Sequence, residues 1–157
     1  MTTHVDLQEE RDRRVNDTAE VFTPPDTVSD MLDILPKKTW KPGKTYLDPA
    51  CGNGNILVGI LIRKIEMYKH KPLDALKTVY GADNIDSNVD EARLRLLKVV
   101  AKHEPITEAH VVAVLKRVVC ADFFKYDFEF AEDPDPAEVE FFLQHIQETK
   151  VFDIVEI

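Results

Sequence analysis

Asp48, Asp83 and Asp122 each close a short apolar, β-prone run: Thr45-Tyr46-Leu47, Thr78-Val79-Tyr80-Gly81-Ala82 and Arg117-Val118-Val119-Cys120-Ala121. Carboxylates accept hydrogen bonds from hydroxyl, amine and ammonium donors. Gly52-Asn53-Gly54 follows the first acid and precedes an apolar helical stretch. Glycines between a strand and a helix let the backbone bend tightly and come close to a ligand. One aspartate after a strand is ordinary. Three in chain order, the first with a glycine turn behind it, point to a small-molecule site. Other chemistries find less support. Cys51 and Cys120 belong to no CxxC pair, and no histidine stands near Cys51 in sequence to activate a thiolate. His4, His70, His103, His110 and His145 form no HxxxH or HxH pair, and the acids near the C-terminus lack EF-hand spacing, so no metal site is expected.

The elements that must position these acids alternate. Residues 1–20 are polar and read as an arm. Phe22-Thr23-Pro24-Pro25 breaks any helix. Asp26 or Thr27 then caps one that carries Val28, Met31, Leu32 and Leu35 on a single face, and Pro36 stops it. Lys37 to Lys44 is a basic loop. After the first strand, Ile56 to Ile65 gives a helix with a broad apolar face, with Lys64, Lys69, His70 and Lys71 towards its end and Pro72 as its terminator. Ser87 or Asn88 opens a helix with Val89, Ala92, Leu96, Leu97 and Val100 inward. Thr107 and Glu108 start a shorter one through Leu115. Asp135, Pro136 and Glu138 start a helix through Glu148. Lys150 to Ile157 reads as a fourth strand. This alternation predicts an α/β fold, a parallel sheet of about four strands flanked by helices. Right-handed crossovers put every strand's carboxyl end on one edge, where ligands bind.

Composition narrows the class. The 157 residues are 44% hydrophobic, enough for one domain with a core and too apolar for a disordered chain. No apolar run reaches membrane-span length, and the polar first residues do not read as a signal peptide; a cytoplasmic location is expected. The net charge is -9, yet residues 123–157 hold ten acids and two bases, and the first 122 residues are nearly neutral. Bulk acidity disfavours a large nucleic-acid footprint.

The motifs, in order, resemble those of the S-adenosylmethionine-dependent adenine-N6 DNA methyltransferases, of the restriction-modification methylation-subunit type and its short phage-encoded relatives. The likeness runs from about residue 20 to residue 155. Glu20-Val21-Phe22-Thr23-Pro24 resembles the family's upstream FTP motif. Asp48-Pro49-Ala50-Cys51-Gly52-Asn53-Gly54 resembles its cofactor loop, and Gly81-Ala82-Asp83 its ribose motif. Cys120-Ala121-Asp122-Phe123 resembles the segment beside the adenine ring, and Phe152-Asp153-Ile154-Val155 the strand that leads to catalysis.

The resemblance implies a Rossmann-like methyltransferase fold, one S-adenosylmethionine-binding domain over residues 21–157, and a host-cytoplasmic location if the chain is phage-encoded. It implies a cofactor set of Phe22, Thr23, Asp48, Pro49, Ala50, Cys51, Gly52, Asn53, Gly54, Asp83, Asn84, Ile85, Asp122 and Phe123. Within it, Asp48 suits the methionine ammonium, directly or through water, and Thr23 the carboxylate. Asp83 suits the ribose hydroxyls, Asp122 the adenine amine, and Asn84 or Ile85 the adenine face. The family's catalytic Asn/Asp-Pro-Pro-aromatic motif does not follow Val155, where the sequence reads Glu156-Ile157. Catalytic residues are therefore unassigned, and the chain is expected to be either a methyltransferase completed by a partner or a non-catalytic module: a split or degenerate subunit, or a decoy of a host defence system. An acceptor other than DNA also stays open. DNA contact is expected to be weak from this chain alone. An apolar Val151 to Val155 strand at a sheet edge invites a dimer or a partner subunit.

Overall fold

The structure is a computed structural model that describes residues 22–149. The arm 1–20 and the fourth strand expected at Lys150 to Ile157 lie outside the described residues. Helix α1 (Pro25–Asp33) begins with proline in its first turn, where the missing N–H costs nothing. It buries Val28 and Leu32, and Ile34 closes it ahead of Pro36. Strand β1 (Tyr46–Asp48) leads through the glycine turn into α2 (Asn55–Ile62). Gly59 lets α1 and α2 meet closely: a Cβ there would lie 2.7 Å from Val28 Cγ1.

Several local expectations are corrected. Pro24, rather than Asp26 or Thr27, caps α1, and the helix after Asp83 starts at Asp86, ahead of Ser87 and Asn88. The basic loop contains a 3-10 turn at Lys37–Trp40, formed around a buried Trp40. Pro72 opens a helix rather than ending one. Helix α2 widens into a π turn at Arg63–Met67, the chain reverses at Lys69, which has φ 59°, and Pro72 starts α3 (Pro72–Leu76). Lysine pays a steric penalty in the left-handed region, and here that residue separates two helices.

Strand β2 (Val79–Asp83) is followed by α4 (Asp86–Ala101), whose Val89, Ala92, Leu96, Leu97 and Val100 are all buried as the spacing predicts. Helix α5 (Glu108–Arg117) runs to Arg117, so β3 (Val118–Cys120) starts one residue later than the apolar run indicates. Helix α6 spans Pro136–Thr149. Among the described residues the strands form a three-stranded parallel sheet in the order β1-β2-β3, with Asp48 opposite Gly81 and Asp83 opposite Cys120. The α/β class and the parallel sheet flanked by helices thus hold. Val79 and Val118 join the main core against the helices. On the other face Tyr80 meets the Phe130 ring edge-on, and Leu47 is 43% exposed. No helix among the described residues is long and apolar enough to cross a membrane.

Candidate functional site

The carboxyl edge begins at Asp48. Its Oδ1 accepts the Ala50 N–H at 3.2 Å, a turn that aspartate favours two residues ahead of itself. The Cys51 N–H donates to Ala82 O at 2.8 Å and ties the loop to β2. Gly52 and Gly54 both have positive φ, 54° and 90°. At Gly54 the space is closed as well, since a Cβ would stand 2.9 Å from Ala92 Cβ on α4. Only glycine accommodates both demands. The Phe22 ring lies against Gly52.

Around this loop the chain builds a small cleft of about 80 Å³, lined by Phe22, Thr23, Asp48, Ala50, Cys51, Gly52, Asn53, Asn55 and Ile56. Pockets for whole small molecules commonly measure ~300 Å³ or more. This cleft therefore takes one polar end of a ligand, and the remainder would lie on the open edge. Larger hollows occur elsewhere, such as 260 Å³ between α1 and α2, but that one is a mostly apolar groove away from the three acids.

Asn53 is 8% exposed, and its Oδ1 has no hydrogen-bond partner among the described residues. A buried acceptor without a donor costs about 1–3 kcal/mol, so one that lines a cleft reads as a place for a ligand's donor. Each of the three acids also has one oxygen engaged. Asp48 uses Oδ1 as above. Asp83 Oδ2 accepts from Asn88 Nδ2 at 3.1 Å, and Asp122 Oδ1 accepts the Phe124 N–H at 2.9 Å. The second oxygen of each accepts no hydrogen bond among the described residues. Burial raises the Asp48 carboxyl above its ordinary value; the Ala50 N–H works against this and the charge of Asp83 adds to it.

The edge is fixed from behind. Arg95 Nη1 on α4 donates to Asn53 O at 3.0 Å and to Asn55 Oδ1 at 2.6 Å, and Asn55 Nδ2 donates to Thr23 O at 2.6 Å. Asn55 and Arg95 are thus positioning residues without a role in the sequence pattern, and Asn88, expected to open α4, instead lies inside it and holds Asp83. Their signal is weak, because a polar residue in a helical stretch ordinarily faces water, whereas Asn88 is fully buried.

The sequence-derived set divides in two. Phe22, Thr23, Asp48, Pro49, Ala50, Cys51, Gly52, Asn53 and Gly54 gather at the loop, with Asp83 near enough for its charge to act on Asp48. Asn84 is exposed, and Ile85 caps α4 half-buried. The Ala121 N–H donates to Asp83 O, so Asp122 lies farther along the edge, exposed beside Phe123. Both thiols are held towards the protonated form. Burial, then Asp48 and Asp83, push Cys51 up to about 12; burial, then Asp86, push Cys120 up to about 11. No group of three or more potential metal ligands occurs among the described residues. Compared with family models, curated proteins and solved structures, the chain matches none.

Proposed function

We propose that this chain binds S-adenosylmethionine along the carboxyl edge of its sheet and serves methyl transfer of the adenine-N6 DNA type. The observation that carries this reading is the conjunction at one edge of three strand-end carboxylates, each with an oxygen to spare, and the orphaned Asn53 Oδ1 in the glycine turn. The cofactor, when bound, supplies an electrophilic methyl group on a sulfonium. The chain's own residues bind and orient. Asp48 and Asn53 Oδ1 accept from the ammonium, Asp83 accepts from the ribose hydroxyls, and Asp122 accepts from the adenine amine, with Phe123 beside the ring. A second reading, a non-catalytic subunit, draws support from Phe124, 91% exposed beyond Asp122, an apolar surface of the kind a partner covers.

Titration calorimetry with S-adenosylmethionine and S-adenosylhomocysteine tests the shared claim. Both should bind, and Asp83→Ala should weaken both at least tenfold. No binding, or binding indifferent to Asp83→Ala, overturns the assignment. Transfer of labelled methyl to adenine-containing DNA, lost in Asp48→Ala, supports the enzyme; clear binding without transfer to DNA, RNA or protein supports the subunit.

A further inference from the structure

At the opposite edge of the sheet, two lysine-rich segments are clasped together. One is the 3-10 turn and loop before β1, with Lys37, Lys38, Lys41 and Lys44. The other is the reversal before α3, with Lys69 and Lys71. Trp40 and Tyr68 stack at 5.4 Å and 7° between planes, the His70 ring N–H donates to Trp40 O at 2.7 Å, and the buried Lys64 Nζ donates to Lys44 O at 2.7 Å. Pro42, Gly43, Lys69, His70, Lys71 and Asp74 share the wall of one hollow of about 270 Å³.

All six lysines are exposed, and neither segment contains an acid. Elsewhere some described cations find carboxylates: Arg63 pairs with Asp33, Arg93 with Asp90 and Glu138, and Lys116 with Asp133. Among the described residues, none of the six lysines is in an ion pair. A chain with a net charge of -9 thus concentrates six exposed lysines on one edge, with Asp74 as an acid in the same hollow.

We propose that this amino edge binds the phosphate backbone of nucleic acid, at a site separate from the carboxyl edge. Lysine is depleted at the centres of protein interfaces, whereas clustered lysines with displaceable counterions are what a phosphate backbone engages. Thr78 and Asp83 bound β2, so the two edges stand roughly 16 Å apart at ~3.3 Å per residue. The contact therefore anchors a polyanion without presenting a base to Asp48. It stands whether or not the cofactor reading holds.

Fluorescence anisotropy of the full chain with a labelled DNA duplex of about 20 base pairs tests it across roughly 50–200 mM salt. The logarithm of the affinity should fall with the logarithm of salt with a slope near -5, about 0.9 for each of six contacts. Lys41→Gln and Lys44→Gln should each reduce the slope by about one. Lys69→Glu with Lys71→Glu should weaken binding at least tenfold with an unchanged circular dichroism spectrum, and Asp83→Ala should leave it unaltered. Absence of binding at about 50 mM salt overturns the proposal. So does a slope indifferent to the lysine variants, or equally tight binding of polyglutamate, which would mark the face as one for an acidic protein segment.

Discussion

A side chain placed for a ligand and one placed for the fold respond differently when removed, and Asn53 allows that contrast to be measured. Its Oδ1 lacks a donor, so Asn53→Ala removes an unmet acceptor. The unliganded protein should unfold at the same urea midpoint or a higher one, by up to about 1 kcal/mol, while cofactor affinity falls about tenfold. Loss of stability together with affinity would mean that Asn53 serves the fold. Lys64 is the opposite case, a buried cation that donates to Lys44 O and to Thr78 Oγ1 without a carboxylate partner, and burial lowers it to about 8. Folded, it holds its proton less tightly than the unfolded chain does. Below about pH 8 both states are protonated and the burial cost is constant. Between about pH 8 and the ordinary lysine value of 10.5 the unfolded chain holds more protons on this group, so the Lys64 contribution should rise with pH, by a total on the order of 3 kcal/mol. The thiols of Cys51 and Cys120, raised above their ordinary value of 9, act in the opposite direction above about pH 9, so the rise is read by urea unfolding as the stability of the wild type minus that of Lys64→Met across the window.

At the scale of elements, the site depends on a contact it does not include. Helix α1 follows directly on Phe22 and Thr23, and its fit against α2 relies on Gly59. Gly59→Ala gains about 1 kcal/mol of helix propensity but drives a methyl into Val28. The expected outcome is a net loss of about 1–2 kcal/mol and weaker cofactor binding, although no residue of the cleft has changed; equal affinity would uncouple α1 from the site. The elements also show what the sequence made legible. The strand-ending acids and the inward face of α4 could be read because periodicity and turn chemistry are local. Lys69 and Pro72 could not, because the left-handed residue that separates α2 from α3 is a lysine, where a glycine would have marked the break. Neither could the partners of Asn53: whether an amide is satisfied depends on the packing of α4 and of residues 22–23, far away in the chain.

Across the whole molecule, the two edges of the sheet carry opposite chemistry: carboxylates and glycines where the strands end, lysines where they begin. The chain's one tryptophan, Trp40, is buried within the lysine edge, and its stacking partner Tyr68 is 39% exposed among those lysines. Intrinsic emission is therefore a reporter of a single side. Nucleic acid added to the protein should shift or quench tryptophan fluorescence. S-adenosylhomocysteine, held roughly 16 Å away across the strands, should leave it nearly unchanged while still raising the melting temperature. Two ligands on one small sheet would then be told apart without a label, one by the colour of the light and the other by heat.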